Sequence, residues 1–328
     1  MLLLPDVPDP TDNECTAVLE TLFKGQTRSV ILTLKPTYAQ HFVPTSLGDK
    51  FPLLISEYFD EQCVGMSPSE LVQHCTDKVF NEISVSASQA EQVEAETRRQ
   101  AESKQWHRFR TGRVTASRMK AVCHTRMDKP SQSLVKAICY PHTSKLHTAG
   151  IRWGCDHEKT ALSTYADQMR QSHENHQLTN SGLVMNPAYP FMGATQDSLV
   201  SCDCCGDGCV EVKCPCRKDF AEIDSRFCLE KVDEEGKLQL KRTHAYHYQV
   251  QTQLFVCNKD YCDFVVWTEG ALHIERIEPD EEFWLSVELK AETFFKAAVL
   301  PEMVGKMFSR PQPATASIST ITPAPQPR

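Results

Sequence analysis

Two strand-like stretches, Asp197 to Cys202 and Cys209 to Lys213, place two carboxylates and an ammonium where a sheet has to find partners for them. Side chains two apart on a strand face the same way, so Glu211 and Lys213 project from one face while Val210 and Val212 pack behind. Asp197, on a neighbouring strand, adds a second carboxylate beside the lysine. Two carboxylates and a backbone carbonyl form a hard-oxygen site suited to Mg²⁺, which keeps waters for a substrate. Taken alone, Asp-x13-Glu-x-Lys also describes a solvated strand face with an i,i+2 ion pair.

The elements predicted around this pair belong to an α/β or α+β domain running from Trp106 to about Met307. Helices are expected at Thr115–Cys123, with Thr115 or Ser117 as N-cap, and at Asp156–Arg170 and His244–Cys257. Leu183–Met185 reads as a further strand, and Tyr261–Trp267 and Ala271–Ile277 as a hairpin across Glu269-Gly270. Asp280–Val299 reads as a helix stopped by Pro301. Residues 1–85 form an appended unit with a strand at Val30–Leu34, a short helix at Ser69–Phe80 and no chemical motif. Residues 86–105 suit an exposed connecting helix, and the Pro-, Ala-, Thr- and Ser-rich end, 308–328, a disordered tail.

Two side chains outside the strand pair sit where a polar group needs a partner. Glu158 lies on the stripe of Leu162, Tyr165 and Met169, at the edge of a buried face, and Gln249 lies on the core side of its helix. Charge is uneven along the 328 residues. The net charge is −8, yet residues 98–126 hold nine Lys/Arg against Glu102 alone, a footprint for phosphates or a solvated basic helix face. No apolar stretch has the length of a membrane span, and Met-Leu-Leu-Leu-Pro followed by Asp6 and Asp9 is no signal peptide. Fifteen cysteines then point to reduced thiols or metal ligation in an intracellular setting, the nucleus favoured over the cytoplasm. No Gly-x4-Gly-Lys-Ser/Thr or Gly-x-Gly-x2-Gly occurs, so ATPase and dinucleotide-enzyme readings lack support.

Five blocks in order resemble the YqaJ viral-recombinase group, the phage-lambda-exonuclease branch of the PD-(D/E)XK nucleases. They are Trp106 to Ser117, Gly154 to Glu158, Gly193 to Asp197, Glu211 to Pro215 and Tyr246 to Gln251. The resemblance covers Trp106 to about Met307 and implies a restriction-endonuclease-like core, a central mixed sheet flanked by helices. It implies Asp197, Glu211 and the Val212 carbonyl as metal ligands, with Glu158 supporting a second metal or its waters. Lys213 would position or activate the attacking water and Gln249 would contact it. Arg110, Ser117 and Thr195 would cradle a 5′ phosphate, and Tyr246 would contact DNA. The implied activity is a Mg²⁺-dependent deoxyribonuclease, with Mn²⁺ as a substitute, entering duplex DNA at a free 5′ end in recombination or repair. Family relatives form ring-shaped trimers. One block departs: the family's Ser-Pro-Asp-Gly reads Thr195-Gln196-Asp197-Ser198 here, which puts the turn at Asp197 in question.

Six cysteines fall between Cys202 and Cys216. Cys202, Cys205 and Cys209 have spacing compatible with Zn²⁺ in the turn between the two strands; a thiol-rich hairpin without metal is the simpler reading. Two further readings of the whole chain compete with the nuclease. One is a catalytically silent DNA-binding or recombination accessory module, the other a zinc-stabilised protein-interaction module.

Overall fold

The computed structural model describes residues 10–24, 31–32, 50–141, 148–220 and 226–310. The chain divides into two units, Met1–Phe51 and Pro52–Arg328. The first contains helix α1 (Asp12–Lys24), whose entry is closed by Thr11, donating to Glu14 from its amide and its hydroxyl. Of the strand expected at Val30–Leu34, Val30, Thr33 and Leu34 lie outside the described residues, and Ile31 and Leu32 are 3₁₀ rather than strand.

The boundary expected near residue 85 lies instead at residue 51. Ile55, Leu71, Cys75 and Ile83 share one buried cluster with Phe294, Leu300 and Val304, which takes their apolar surface out of water. Helix α2 (Pro68–His74) is opened by a Ser67–Glu70 capping box and runs on through a π turn, Cys75–Val79. Helix α3 (Ala87–Glu96) is capped by Ser86, and α4 (Lys104–Arg110) by Ser103. The single exposed helix expected over 86–105 is therefore broken, at Gln100 (φ 45°), and its inner side is buried. Thr97 is fully buried, donating to the carbonyl of Val93 (2.6 Å) and accepting the amide of Leu183 (2.7 Å).

The helix expected from Thr115 begins as strand β1 (Val114–Thr115) and a 3₁₀ turn before α5 (Met119–His124), and neither Thr115 nor Arg118 caps it through a side chain. Val114 and Thr115 are drawn into pairing with Met192 and Gly193, which overrides the local cap signal. Helix α6 (Gln132–Cys139) follows, then the long α7 (Ala149–Met169), which starts at a Thr148 cap, about two turns before its expected position.

Strands β2 (Gln177–Thr179), β3 (Val184–Asn186), β4 (Tyr189–Ala194), β5 (Ser198–Cys202), β6 (Gly206–Lys213), β7 (Leu229–Lys231) and β8 (Leu238–Leu240) precede helix α8 (Ala245–Cys257). The hairpin β9 (Cys262–Thr268) and β10 (Ala271–Ile277) comes next. The main sheet has the order β10-β9-β6-β5-β2, and only β6 and β9 in it run parallel, the two strands joined through α8. This is a mixed sheet with helices on both faces. Ala161 and Tyr165 of α7 pack on Val200, Val210 and Val212; Val250 and Leu254 of α8 pack on Cys209, Phe264 and Val266.

Helix α9 (Glu281–Phe294) passes through a π turn, Phe295–Val299, into α10 (Leu300–Gly305). Pro301 does not stop it; the proline sits directly after the π turn, where the regular hydrogen-bond ladder is already interrupted. Of the expected tail, Phe308 to Arg310 are ordered into the body, with Arg310 donating to the carbonyls of Val64 and Met66 (both 2.7 Å); residues 311–328 lie outside the described residues. Among the described residues no helix is long and apolar enough to cross a membrane.

Candidate active site

The β5–β6 hairpin holds its charges as the period-two reading requires. Val210 and Val212 enter the core under α7, and Glu211 points to the α8 side, where it is 2 % exposed. Its Oε1 accepts from Lys213 and from the Gln249 amide (2.5 Å), and its Oε2 from the Gln253 amide (2.6 Å). Gln249 thus orients Glu211 directly. Gln253, one turn further along α8, also donates to the Thr195 carbonyl (3.2 Å). Sequence reasoning missed Gln253; its only signal was the i+4 spacing from Gln249.

Asp197 stands just ahead of β5. Its amide donates to the Val210 carbonyl (3.1 Å), and its Oδ2 accepts from the Val212 amide (2.7 Å), so the two strands hold it by backbone. The lost Pro and Gly of the family block do no harm to this turn. No residue from Thr195 to Ser198 has positive φ, Gln196 is buried, and Ser198 anchors β5 by donating to the Thr179 carbonyl (3.0 Å).

Glu158, half-buried on α7, faces the same cleft of about 530 Å³ as Asp197, Val212, Lys213 and Tyr246. Burial and then the negative charge of Glu211 raise the pKa of both Asp197, strongly, and Glu158. Burial works against the Lys213 ammonium, but Glu211 and Asp197 outweigh it and hold its pKa above the ordinary lysine value. The ammonium also lies 4.6 Å from the Tyr246 ring centre. Three carboxylates beside a backbone carbonyl have the donor chemistry of a hard divalent cation. The residues present fit such an ion.

Of the three residues expected to cradle a phosphate, Arg110 lines a second, smaller pocket of about 180 Å³, with Trp106, Arg113, Thr115 and Arg118 among others, whereas Ser117 and Thr195 are not in its lining. The Arg110 guanidinium stacks 3.7 Å from the Trp106 ring centre, and the Trp106 indole N–H donates to the Thr195 hydroxyl (3.1 Å). Burial, with Arg118 nearby, lowers the Arg110 pKa to about 10. Ser117 is exposed and touches this group only through the Thr115 hydroxyl, 3.5 Å away. The basic footprint of residues 98–126 is thinner than its charge count. Arg98, Arg99 and Arg126 are in ion pairs, and the buried Arg113 spends its guanidinium on the carbonyls of Leu53, Phe109 and Pro190.

The three expected zinc ligands do not converge. Cys209 is buried on the α8 side with Cys262, whereas Cys202 and Cys205 gather with Cys204 and His173 at the tip of the hairpin. Neighbouring residues on a strand face opposite ways, so spacing that continues from the turn into β6 cannot keep one face.

Residues 105–260, which include every residue named as lining either pocket, match the family described as the YqaJ-like viral recombinase domain. The match spans just under half of the chain and is a likeness to that domain. Among solved structures, the alkaline exonuclease LHK-Exo from Laribacter hongkongensis is 25% identical over 61% of this chain and 94% of its own, with a TM-score of 0.45. A phage-related exonuclease from Haemophilus somnus 129PT is 10% identical over 60% of this chain and 96% of its own, with a TM-score of 0.41. The Shutoff and Exonuclease Protein of Kaposi's sarcoma associated herpesvirus is 11% identical over 91% and 98%, with a TM-score of 0.45. No curated protein matches the chain. Within the matched segment, Glu158, Asp197, Glu211, Lys213, Gln249 and Tyr246 come together; Arg110 lines a second pocket, to which Thr195 is tied through the Trp106 indole and Ser117 through the Thr115 hydroxyl.

Proposed function

We propose that the chain is a divalent-metal-dependent deoxyribonuclease that hydrolyses duplex DNA from a 5′ end. The observation that carries this reading is the convergence of Asp197, Glu211 and Lys213 on one hairpin with Glu158 across the cleft. Asp197, Glu211 and the Val212 carbonyl would hold Mg²⁺ or Mn²⁺, with Glu158 on its outer side. When bound, such a cation supplies positive charge against a phosphate and makes water more acidic. Lys213 keeps its proton at neutral pH because Glu211 and Asp197 outweigh its burial. Beside that site it donates a hydrogen bond that orients the attacking water and the phosphate. Gln249 and Gln253 fix the Glu211 carboxylate, and Tyr246 borders the path of the strand. Arg110, braced on Trp106, offers a fork to a terminal phosphate, and the Thr195 hydroxyl links that pocket to Asp197.

The test is digestion of linear duplexes labelled at either end, with or without a 5′ phosphate, in Mg²⁺, Mn²⁺ or EDTA. The expected result is shortening from phosphorylated 5′ ends that EDTA abolishes. Lys213→Ala should abolish cleavage and leave DNA binding, and Arg110→Ala should erase the preference for phosphorylated ends while internal affinity falls little. Cleavage that persists in excess EDTA sinks the metal mechanism. Binding without turnover in either metal favours the silent DNA-binding module instead.

A further inference from the structure

The tip of the β5–β6 hairpin lies at the far end of the strands from Asp197, about 17 Å along β5 at strand rise. There Cys202, Cys204 and Cys205 meet His173 from the turn that ends α7, and their four ligand atoms all lie within 4.8 Å of one another. The His173 Nδ1 is 3.6, 3.0 and 3.5 Å from the sulfurs of Cys202, Cys204 and Cys205. Cys202 and Cys204 sulfurs are 3.4 Å apart, and Cys204 and Cys205 sulfurs 3.8 Å. All three thiols are free. A tetrahedral zinc with ordinary bond lengths sets sulfur–sulfur separations of about 3.8 Å and nitrogen–sulfur separations of about 3.6 Å. The observed spacings cluster around those values and are far longer than a disulfide bond, about 2 Å.

We propose that His173, Cys202, Cys204 and Cys205 bind one structural Zn²⁺ per chain. The surrounding backbone is built to hold them. The His173 amide donates to the Met169 carbonyl (2.9 Å), wrapping the end of α7 back toward the hairpin. Asn175, in left-handed backbone (φ 53°), donates from its side chain to Asp203 (2.6 Å), and the Asp203 amide donates to the Glu174 carbonyl (3.1 Å). Gly206 (φ 72°) then turns the chain into β6 without a Cβ penalty. Three thiolates and a neutral imidazole leave a zinc site with one net negative charge. Arg276 answers it. It hydrogen-bonds the Cys205 sulfur, while its guanidinium is fixed on the buried Asp263 at 2.8 and 3.0 Å.

Four protein ligands close the coordination sphere, so the ion is structural and not catalytic. Its effect is to pin the end of the helix that carries Glu158 to the hairpin that carries Asp197, Glu211 and Lys213. The site stands on geometry apart from the nuclease reading.

The test is metal analysis of full-length protein expressed with zinc and purified under reducing conditions without chelator. About one zinc per chain is expected. Replacing it with Co²⁺ should give the visible ligand-field and thiolate charge-transfer bands of a tetrahedral three-sulfur site. His173→Ala with Cys204→Ser should lose the zinc and the bands, while Cys209→Ser should keep both. Asp197→Asn with Glu211→Gln should also keep the zinc, which separates this ion from any held in the cleft. Zinc-free wild type that takes up no Co²⁺, or zinc that survives in the His173/Cys204 variant, overturns the proposal. If that variant fails to fold, wild-type stoichiometry and the Co²⁺ spectrum decide alone.

Discussion

Glu211 illustrates how a charge is kept at 2 % exposure: both carboxylate oxygens are occupied by donors, from Lys213, Gln249 and Gln253. Leaving a buried acceptor short of a donor costs about 1 to 3 kcal/mol, more when it is charged. Gln253→Leu removes one donor from Glu211 and one from the Thr195 carbonyl, so thermal or urea unfolding should show a loss of about 2 kcal/mol. The same change should slow cleavage more than it weakens DNA binding, because the carboxylate loses its fixed orientation. In a Glu211→Gln background the stability cost should shrink, since the charge that needs the donor has gone. A Gln253→Leu protein that unfolds with the wild type would show that this amide holds nothing. Gln249 was legible at this scale from its core-facing position; Gln253 was not, because helix α8 is buried nearly all round and its apolar stripe is indistinct.

At the scale of elements, the local signals worked where an element makes its own pattern and failed where a neighbour decides. Helices α7 and α8 and the hairpins β5–β6 and β9–β10 form close to where their periodicity puts them. Residues 86–105 did not, because Thr97 and Val93 have a strand to pack on that no local count reveals. The docking of α3 on β3 is tight at Gly182, whose amide donates to the Glu94 carboxylate (3.0 Å) and where any Cβ would overlap the Glu94 carbonyl. Gly182→Ala must push the two elements apart, at a cost of about 1 to 3 kcal/mol. Differential scanning calorimetry should show the lower melting temperature, and the matched Gly65→Ala, which meets open space, should not share it. An unchanged melt for Gly182→Ala would mean that α3 is free to shift.

Over the whole molecule, acid should weaken the fold through buried histidines. Burial lowers the pKa of His247, with Arg242 adding to it and Asp280 and Glu275 opposing; burial and then His173 and Arg170 do the same for His176. Neither ring has a partner for every nitrogen: both nitrogens of His176 and Nε2 of His247 are buried without a hydrogen bond. A folded-state pKa below the unfolded one means that the unfolded chain binds more protons once pH drops below about 6.5. Stability is therefore full above that pH and is lost as pH falls through it, by at most about 1.4 kcal/mol per pH unit for each ring. His247→Phe, which keeps the edge contact with Phe283 (4.9 Å between centres), should flatten the fall in melting temperature between pH 7 and pH 5. An equally steep fall in the variant would assign the acid sensitivity elsewhere.

What residue order alone determined is the part written in short repeats. Period two on β6 puts Glu211 and Lys213 on one face and Val210 and Val212 on the other, and period 3.6 on α7 puts Glu158 at the edge of a buried stripe. The five motif blocks were legible in a different way, through their order and their resemblance to a known family. Only tertiary structure decided who meets whom across the chain: Gln253 reaches Glu211 over 42 residues, His173 reaches Cys204 over 31, and Trp106 reaches Thr195 over 89. Such contacts depend on the strand order β10-β9-β6-β5-β2 and on which helix covers which face. Strand order is set by the burial of the whole apolar surface at once, and no local period encodes it.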